Sequence, residues 1–228
     1  MELGGKFIVI DGPDGAGKGT QIERLKRWAE AQGTPCTCAK DPGGTEIGDR
    51  IRHILLGYDL QSMSPRCETL LFMASRAQLA AEVIRPALAA GRLVIGDRYI
   101  SATCAYQGAL GMNPEDVLVL GRLAVGDTWP DLTIILDVPP EVGFARTGRD
   151  PDAAPRRSGA PRGDQLDMFG DTHADAMELR PLEFHQTVRR LFEALPSYYP
   201  GPVAIVDAAR DADAVFADVQ EAVRRAVL

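Results

Sequence analysis

A glycine-rich run near the amino terminus carries the clearest chemistry in the sequence. Residues 12–18 read GPDGAGK, directly after an apolar segment and directly before a helical pattern. Glycines let successive backbone N–H groups turn inward around a phosphate, and the following helix adds the partial positive charge of its first turn. A lysine in this position reaches the terminal phosphates. We therefore predict a loop that binds a nucleoside triphosphate, formed by Gly12, Pro13, Asp14, Gly15, Ala16, Gly17, Lys18, Gly19 and Thr20.

The residue after Lys18 departs from the usual form of such a loop. Gly19 stands where Ser or Thr normally supplies a hydroxyl ligand to Mg²⁺, and a hydroxyl arrives only at Thr20. We expect Thr20 to contact a phosphate instead. Asp97, at the end of a predicted strand, is our candidate for holding the metal, through water.

Short apolar runs alternate with longer helical patterns along the chain. Strands are predicted at 6–11, 34–39, 93–97, 132–137 and 203–207, and helices at 18–32, 45–57, 64–90 with a kink at Pro86, 113–125, 139–147 and 212–227. Continuous apolar strands separated by helices favour a parallel sheet covered on both faces. We therefore predict one α/β domain over residues 1–228. Asp11, Asp97 and Asp137 end strands, where ligands bind in sheets of this kind.

One stretch breaks this alternation. Residues 148–175 are rich in proline, glycine and arginine and show no apolar period. A long loop of this composition in a compact domain is usually a lid or disordered. We predict a flexible lid inserted within the single domain.

Composition excludes several classes of protein. Hydrophobic residues make up 45% of the chain, charged residues 25%, and the formal net charge is −7, which argues against broad electrostatic binding of nucleic acid or of an anionic membrane. The four cysteines show no Cys-x-x-Cys spacing, and the start lacks the pattern of a signal peptide. No apolar run reaches the roughly 18 residues of a membrane span. We expect a cytoplasmic protein whose ligands are small molecules.

Several further segments, taken together, resemble bacterial thymidylate kinases. They are residues 12–21, 41–45 (DPGGT), 68–78 (ETLLFMASRAQ), 97–99 (DRY), 105–108 (AYQG) and 130–137 (PDLTIILD). Their order and spacing carry the resemblance, which covers roughly residues 7–206 and weakens between 148 and 174. It implies a three-layer P-loop fold with a five-stranded parallel sheet. It also implies transfer of the γ-phosphate of ATP to dTMP, giving dTDP, with Mg²⁺.

The resemblance assigns roles to individual residues. Asp14 would face the sugar 3′-hydroxyl or the transferred phosphate, Arg98 would hold the acceptor phosphate, and Asp97 would lie beside the metal. Phe72 would stack on thymine. Arg76, four residues further along the same helix, would hydrogen-bond the base.

The same resemblance extends to the sugar. Tyr106 would lie near the deoxyribose, where its ring disfavours a ribonucleotide. Thr103 and Gln107 are further candidates for contacts to the base or sugar. The adenine of ATP would lie near Asp207 and Ala208. Family members commonly pair through their long helices, and the sequence neither shows nor excludes a homodimer.

Three departures from the family pattern concern charged residues. Lys40-Asp41 replaces Arg-Glu before Pro-Gly-Gly, residues 175–178 read DAME where the family has Asp-Arg-x-Glu, and the lid carries an insertion. Thymidylate kinases whose phosphate loop lacks an arginine usually bring arginines from the lid, so the resemblance implies a catalytic lid arginine here. The candidates are Arg149 with one or more of Arg156, Arg157 and Arg162. Arg146, on the preceding helix, is a second candidate.

Two other readings stay open. The Gly-Lys-Gly-Thr-Gln run also resembles adenylate kinase, so the acceptor could be another nucleoside monophosphate or a deoxynucleoside, although Phe72, Arg76 and 106–107 fit the thymidylate pattern better. The altered lid motif and the missing hydroxyl after Lys18 also fit a nucleotide-binding module without catalysis.

Overall fold

A computed structural model describes residues 3–57, 63–149 and 180–227. Five parallel strands form its sheet, in the order β2-β3-β1-β4-β5. They are β1 (Phe7–Asp11), β2 (Cys36–Lys40), β3 (Leu93–Asp97), β4 (Leu132–Asp137) and β5 (Val203–Asp207). The predicted parallel sheet is confirmed, with the second strand displaced toward its carboxyl end by one or two residues.

The central strand shows why both faces of the sheet are covered. All five residues of β1 are buried, and successive side chains point to opposite faces. Phe7 and Val9 belong to one apolar core, and Ile8 and Ile10 belong to the other. A strand buried on both sides therefore reads as a continuous apolar run.

Helices cover both faces of the sheet and form the two outer layers of the three-layer fold. They are α1 (Lys18–Glu30), α2 (Glu46–Gly57), α3 (Pro65–Leu79), α4 (Arg85–Ala89), α5 (Ile100–Tyr106), α6 (Pro114–Val125), α7 (Pro140–Thr147), α8 (Leu182–Ala194) and α9 (Ala212–Val227). Helices α1 and α9 pack on the face of Ile8, and α3, α5, α6 and α8 share the core of Phe7. Among the described helices, none has both the length and the apolarity needed to cross a membrane.

The long helix predicted over 64–90 is interrupted one turn before Pro86. A π-helical turn, Ala80–Ile84, joins α3 to α4, and the N–H of Arg85 bonds to the carbonyl of Ala80, five residues back. Proline donates no hydrogen bond, and its ring excludes the carbonyl four residues before it. The wider turn absorbs both effects.

Two helices, α5 and α8, were not predicted. Every residue of α5 is buried, so it shows no amphipathic period. In α8 the signal was available, because Phe184, Val188 and Phe192 recur every four residues. The predicted lid, 148–175, lies outside the described residues apart from Gly148 and Arg149.

Candidate nucleotide site

The predicted phosphate loop connects β1 to α1 and has no room for a Cβ at two of its glycines. Gly12 has a φ of 139°, and a Cβ there would lie 2.4 Å from the carbonyl oxygen of Leu136. At Gly15 the corresponding atom would lie 2.3 Å from the carbonyl oxygen of Gly143. By contrast, the Cβ positions of Gly17 and Gly19 are open, so the mouth of the loop has room for a ligand.

The side chain of Lys18 hydrogen-bonds to the backbone of this loop. Its Nζ donates to the carbonyls of Gly12 at 3.1 Å and Pro13 at 2.9 Å. Burial, reinforced by the nearby Arg98, lowers the pKa of Lys18 to about 8, although Asp14 and other carboxylates oppose the shift. A phosphate near Nζ would stabilise the cation, and the cradle therefore fits an anionic ligand.

Asp97 ends β3 at the edge of this cavity. Its Cα lies in register with Ile10 of β1. Its carboxylate is one of those that oppose the lowering of the pKa of Lys18. It lines the cavity with Lys18 and Gly19, while Thr20 lines the neighbouring one. No group of three or more His, Cys, Asp or Glu side chains in the described part of the chain could hold a metal. One carboxylate suits Mg²⁺, which keeps several waters and binds through substrate phosphates.

Arg98 has a left-handed backbone conformation, with φ of 67°. Its guanidinium group is directed toward the phosphate loop. Nη2 lies 2.6 Å from Oδ1 of Asp14, and Nη1 lies 3.2 Å from Oδ1 of Asp11. Burial would raise the pKa of Asp14, but Arg98 and then Lys18 lower it on balance. The hydroxyl of Tyr106 donates to Asp14 at 3.1 Å, and the Arg98 guanidinium lies 4.9 Å from the Tyr106 ring centre.

Asp11 and Ser101 hydrogen-bond to this arrangement from the protein interior; the sequence placed Asp11 at a ligand-binding strand end without a role, and it did not single out Ser101. Asp11 is fully buried, accepts from the hydroxyl of Ser101 at 2.6 Å and from the N–H of Gly12 at 2.8 Å. The pKa of Asp11 is raised, because the effect of burial exceeds the opposing effect of Arg98. Asp11 therefore joins the start of the phosphate loop to Arg98.

A second cavity opens beside the first. It contains all the residues predicted for the base and sugar, namely Phe72, Arg76, Thr103, Tyr106 and Gln107, together with Asp14, Asp41, Pro42 and Arg98. Those last four residues also line the cavity at the phosphate loop. The structure thus brings every described residue of the predicted acceptor site to one place.

Arg76 is buried and already has partners within the protein. Nε lies 2.5 Å from Oδ2 of Asp41, and Nη1 donates to Oγ1 of Thr103 at 2.7 Å. Its guanidinium lies 5.4 Å from the ring centre of Phe72. The pKa of Asp41 is raised, because the effect of burial exceeds the opposing effect of Arg76. Asp41, seen in the sequence only as a departure, is thus the counter-ion of Arg76.

Arg149 lies against a histidine that sequence reasoning missed. Its guanidinium is 4.0 Å from the ring centre of Phe144, and Nη2 lies 3.2 Å from Nε2 of His185 at the start of α8. Because a guanidinium only donates, Nε2 of His185 must be the acceptor. Burial lowers the pKa of His185 to about 4, consistent with a neutral ring. Nη1 of Arg149 is buried without a partner among the described residues.

The remaining predicted arginines are divided between a third cavity and the segment outside the described residues. Arg146 donates to the carbonyls of Ala208 at 2.8 Å and Ala209 at 3.1 Å, in a cavity that also contains Gly17 and Thr20. That cavity lies where adenine was expected. Arg156, Arg157, Arg162 and residues 175–178 lie outside the described residues.

The parallel sheet, the phosphate loop after its central strand and the adjoining second cavity define the class of P-loop nucleotide kinases. Comparison with known proteins narrows this class. The family model "Thymidylate kinase" matches residues 10–219. The chain belongs to the thymidylate kinase family.

Individual relatives agree along nearly the whole length. The thymidylate kinase of Thermomicrobium roseum is 40% identical over 224 residues, which cover 96% of each chain. That of Solidesulfovibrio magneticus is 39% identical over 92% of this chain and 94% of its own. That of Bacillus velezensis is 32% identical over 99% and 98%.

Proposed function

We propose that this protein transfers the γ-phosphoryl group of ATP to dTMP, giving ADP and dTDP. One observation carries the proposal: the cavity at the phosphate loop and the second cavity share Asp14 and Arg98. A triphosphate tail in one cavity and a monophosphate in the other would meet at these side chains. Membership of the thymidylate kinase family names the acceptor.

The phosphate loop is proposed to bind the donor. Its backbone amides and the Lys18 ammonium would hold the β- and γ-phosphates, and the open positions at Gly17 and Gly19 leave room for them. Mg²⁺ bound with the triphosphate would neutralise charge on the phosphate oxygens, and Asp97 would hold it through water. Arg146, Ala208 and their neighbours would enclose the adenine.

The second cavity is proposed to bind dTMP. Phe72 would stack on thymine, Arg76 would donate to the base, and the ring of Tyr106 would lie against the deoxyribose. Asp14 accepts from Arg98 and Tyr106, and it would exchange part of this bonding for a hydrogen bond from the sugar 3′-hydroxyl, or face the transferred phosphate. The rigid packing of these groups favours correct orientation of the acceptor.

In the transfer itself an oxygen of the dTMP phosphate forms a bond to the γ-phosphorus. The bond from that phosphorus to the β–γ bridging oxygen breaks, and ADP leaves with the electron pair. Arg98 would hold the attacking phosphate with its planar fork, and Lys18 would stabilise charge on the transferred group. Arg149, the last residue of the described segment 63–149, remains our proposed lid arginine.

The proposed assembly includes a second copy of the chain. Large apolar side chains are exposed on α2, α3 and α6, three helices that pack side by side. They are Ile47, Ile54, Leu70, Val119 and Leu123, and Leu123 is 83% exposed. A concentration of exposed apolar side chains on neighbouring helices supports a homodimer. The single domain over residues 1–228 and the cytoplasmic location stay predictions.

An acceptor panel tests the reaction. ADP release is followed with dTMP, dUMP, AMP, CMP, GMP and thymidine in turn, and dTMP should give the highest kcat/KM. Lys18→Ala should lower turnover by about a thousandfold, because it removes a charge on the transferring phosphates. Lys26→Ala, a lysine further along α1, is the matched control. Binding of ATP without turnover of any acceptor would contradict the proposal and indicate a nucleotide-binding module.

A further inference from the structure

Glu68, in the first turn of α3, has no role in the chemistry described so far. It is 1% exposed, and its Oε1 accepts a hydrogen bond from Nε2 of Gln107 at 2.9 Å. Gln107 directly follows α5 and is also 1% exposed. A hydrogen bond between two buried groups is costly to break, so it holds the Gln107 side chain in one orientation.

That orientation has a direction, because the two ends of an amide differ. The nitrogen donates hydrogen bonds and the oxygen accepts them, whereas a carboxylate only accepts. Glu68 therefore requires the nitrogen of Gln107 on its side, and Oε1 is left on the other. Gln107 lines the second cavity, and its Oε1 accepts no hydrogen bond within the described part of the chain.

Two donors, Arg76 and Thr103, line this cavity with Gln107, and these three side chains are termed its wall. The Arg76 guanidinium only donates, and its Nε and Nη1 are directed to Asp41 and Thr103. Because Oγ1 of Thr103 accepts from Arg76, the Thr103 hydroxyl keeps its own hydrogen for another acceptor. The wall therefore presents donors from Arg76 and Thr103 beside one acceptor from Gln107.

We propose that Glu68 is a positioning residue for base selection, because it holds Gln107 with its carbonyl oxygen toward the base. The inference rests on the proposed function of the second cavity as the dTMP site. Thymine and uracil carry a ring N–H beside a carbonyl, which complements this wall. Cytosine reverses both groups, since it carries an acceptor nitrogen beside an amino group. In the cavity it would leave two buried polar contacts mismatched.

A pair of acceptors isolates this edge of the base. dTMP and 5-methyl-dCMP share the 5-methyl group, the sugar and the phosphate, and differ only at position 4 and the adjacent ring nitrogen. The wild-type protein should prefer dTMP strongly in kcat/KM. Glu68→Gln keeps the shape of the side chain, but an amide at position 68 can donate as well as accept. The amide of Gln107 can then adopt the reversed orientation, with its nitrogen toward the base. The ratio of the two kcat/KM values should fall by about tenfold or more.

Controls separate orientation from general damage. Glu115→Gln makes the same charge change at an exposed position on α6 and should leave the ratio unchanged. Gln107→Leu removes the amide altogether and should also lower the ratio. Melting temperature and ATP affinity verify that each variant is folded, since neither residue lines the cavity at the phosphate loop.

The possible results are distinguishable. An unchanged ratio in folded Glu68→Gln overturns the inference, and so does equal use of dTMP and 5-methyl-dCMP by the wild type. If Glu68→Gln does not fold, an unchanged ratio in Gln107→Leu overturns it equally. Failure of the wild type to phosphorylate dTMP, with turnover of another acceptor, instead contradicts the proposed function.

Discussion

At the scale of single residues, charged side chains of the site compensate one another within the protein. Arg98 is bonded to Asp11 and Asp14, and Lys18 donates to the carbonyls of Gly12 and Pro13. Phosphates entering the two cavities would take over these donors. The ionisation of Lys18 therefore reports directly on occupancy of the loop.

Binding of ATP should draw a proton to the protein at alkaline pH. The pKa of Lys18 is lowered to about 8 by burial, so the free protein loses this proton as the pH rises through 8. Phosphates stabilise the charged lysine and raise its pKa, so the complex holds more protons than the free protein. ATP affinity should thus weaken as the pH increases above 8. Calorimetry at pH 8.5 in buffers of different ionisation enthalpy measures the uptake, and Lys18→Ala should abolish it.

At the scale of secondary structure, α8 connects two parts of the site. His185 accepts from Arg149, and its ring packs edge-on against Phe144 at 5.0 Å and Phe184 at 5.4 Å between ring centres. Phe184 lies beside Tyr106. This single helix therefore positions both the proposed lid arginine and the ring proposed to face the sugar.

The buried His185 should make stability depend on pH. Its pKa is about 4 in the folded chain against 6.5 normally, so below pH 6.5 the unfolded chain binds this proton more readily. Stability is fully present above about 6.5 and falls as the pH decreases toward 4, by about 3 kcal/mol at most. Urea unfolding between pH 7 and pH 5 measures the loss. His185→Phe keeps a buried ring and should flatten the slope; an equally steep slope in that variant would rule out His185 as its source.

At the scale of the whole molecule, the exposed large apolar side chains are concentrated on three neighbouring helices. Helices α2, α3 and α6 carry five of the six exposed large apolar side chains among the described residues. The other exposed one, Ile205, lies on the edge strand β5, away from this surface. This uneven distribution of exposed apolar side chains favours a single self-complementary interface between two copies of the chain.

Leu123→Glu should shift the protein toward monomers. Burying a carboxylate in an apolar interface is strongly unfavourable, and an exposed side chain can be replaced with little effect on folding of the monomer. Light scattering across a range of concentrations measures the mass. Ile205→Glu is the matched control and should leave the mass unchanged. A wild-type mass equal to one chain at all concentrations would contradict the homodimer.

What could be predicted from the sequence was local. The phosphate loop, the five strands and the helix starts depend on neighbouring residues: glycines where the backbone needs positive φ, and continuous apolar runs where a strand is buried on both faces. The resemblance to thymidylate kinases pointed to Phe72, Arg76 and Tyr106 as candidate contacts to dTMP, and the fold brings these side chains to one cavity. Helix α5 escaped prediction because a fully buried helix carries no amphipathic period.

Only the tertiary structure decided how these residues are paired. Arg76 with Asp41, Gln107 with Glu68, and Asp11 with Ser101 are separated by 35, 39 and 90 residues, and no local pattern specifies such partners. Each pair forms because burial makes an unsatisfied polar group costly, and burial arises only when the helices close over the sheet. The sequence by itself determined where phosphates would bind, whereas packing determined which way each donor and acceptor faces.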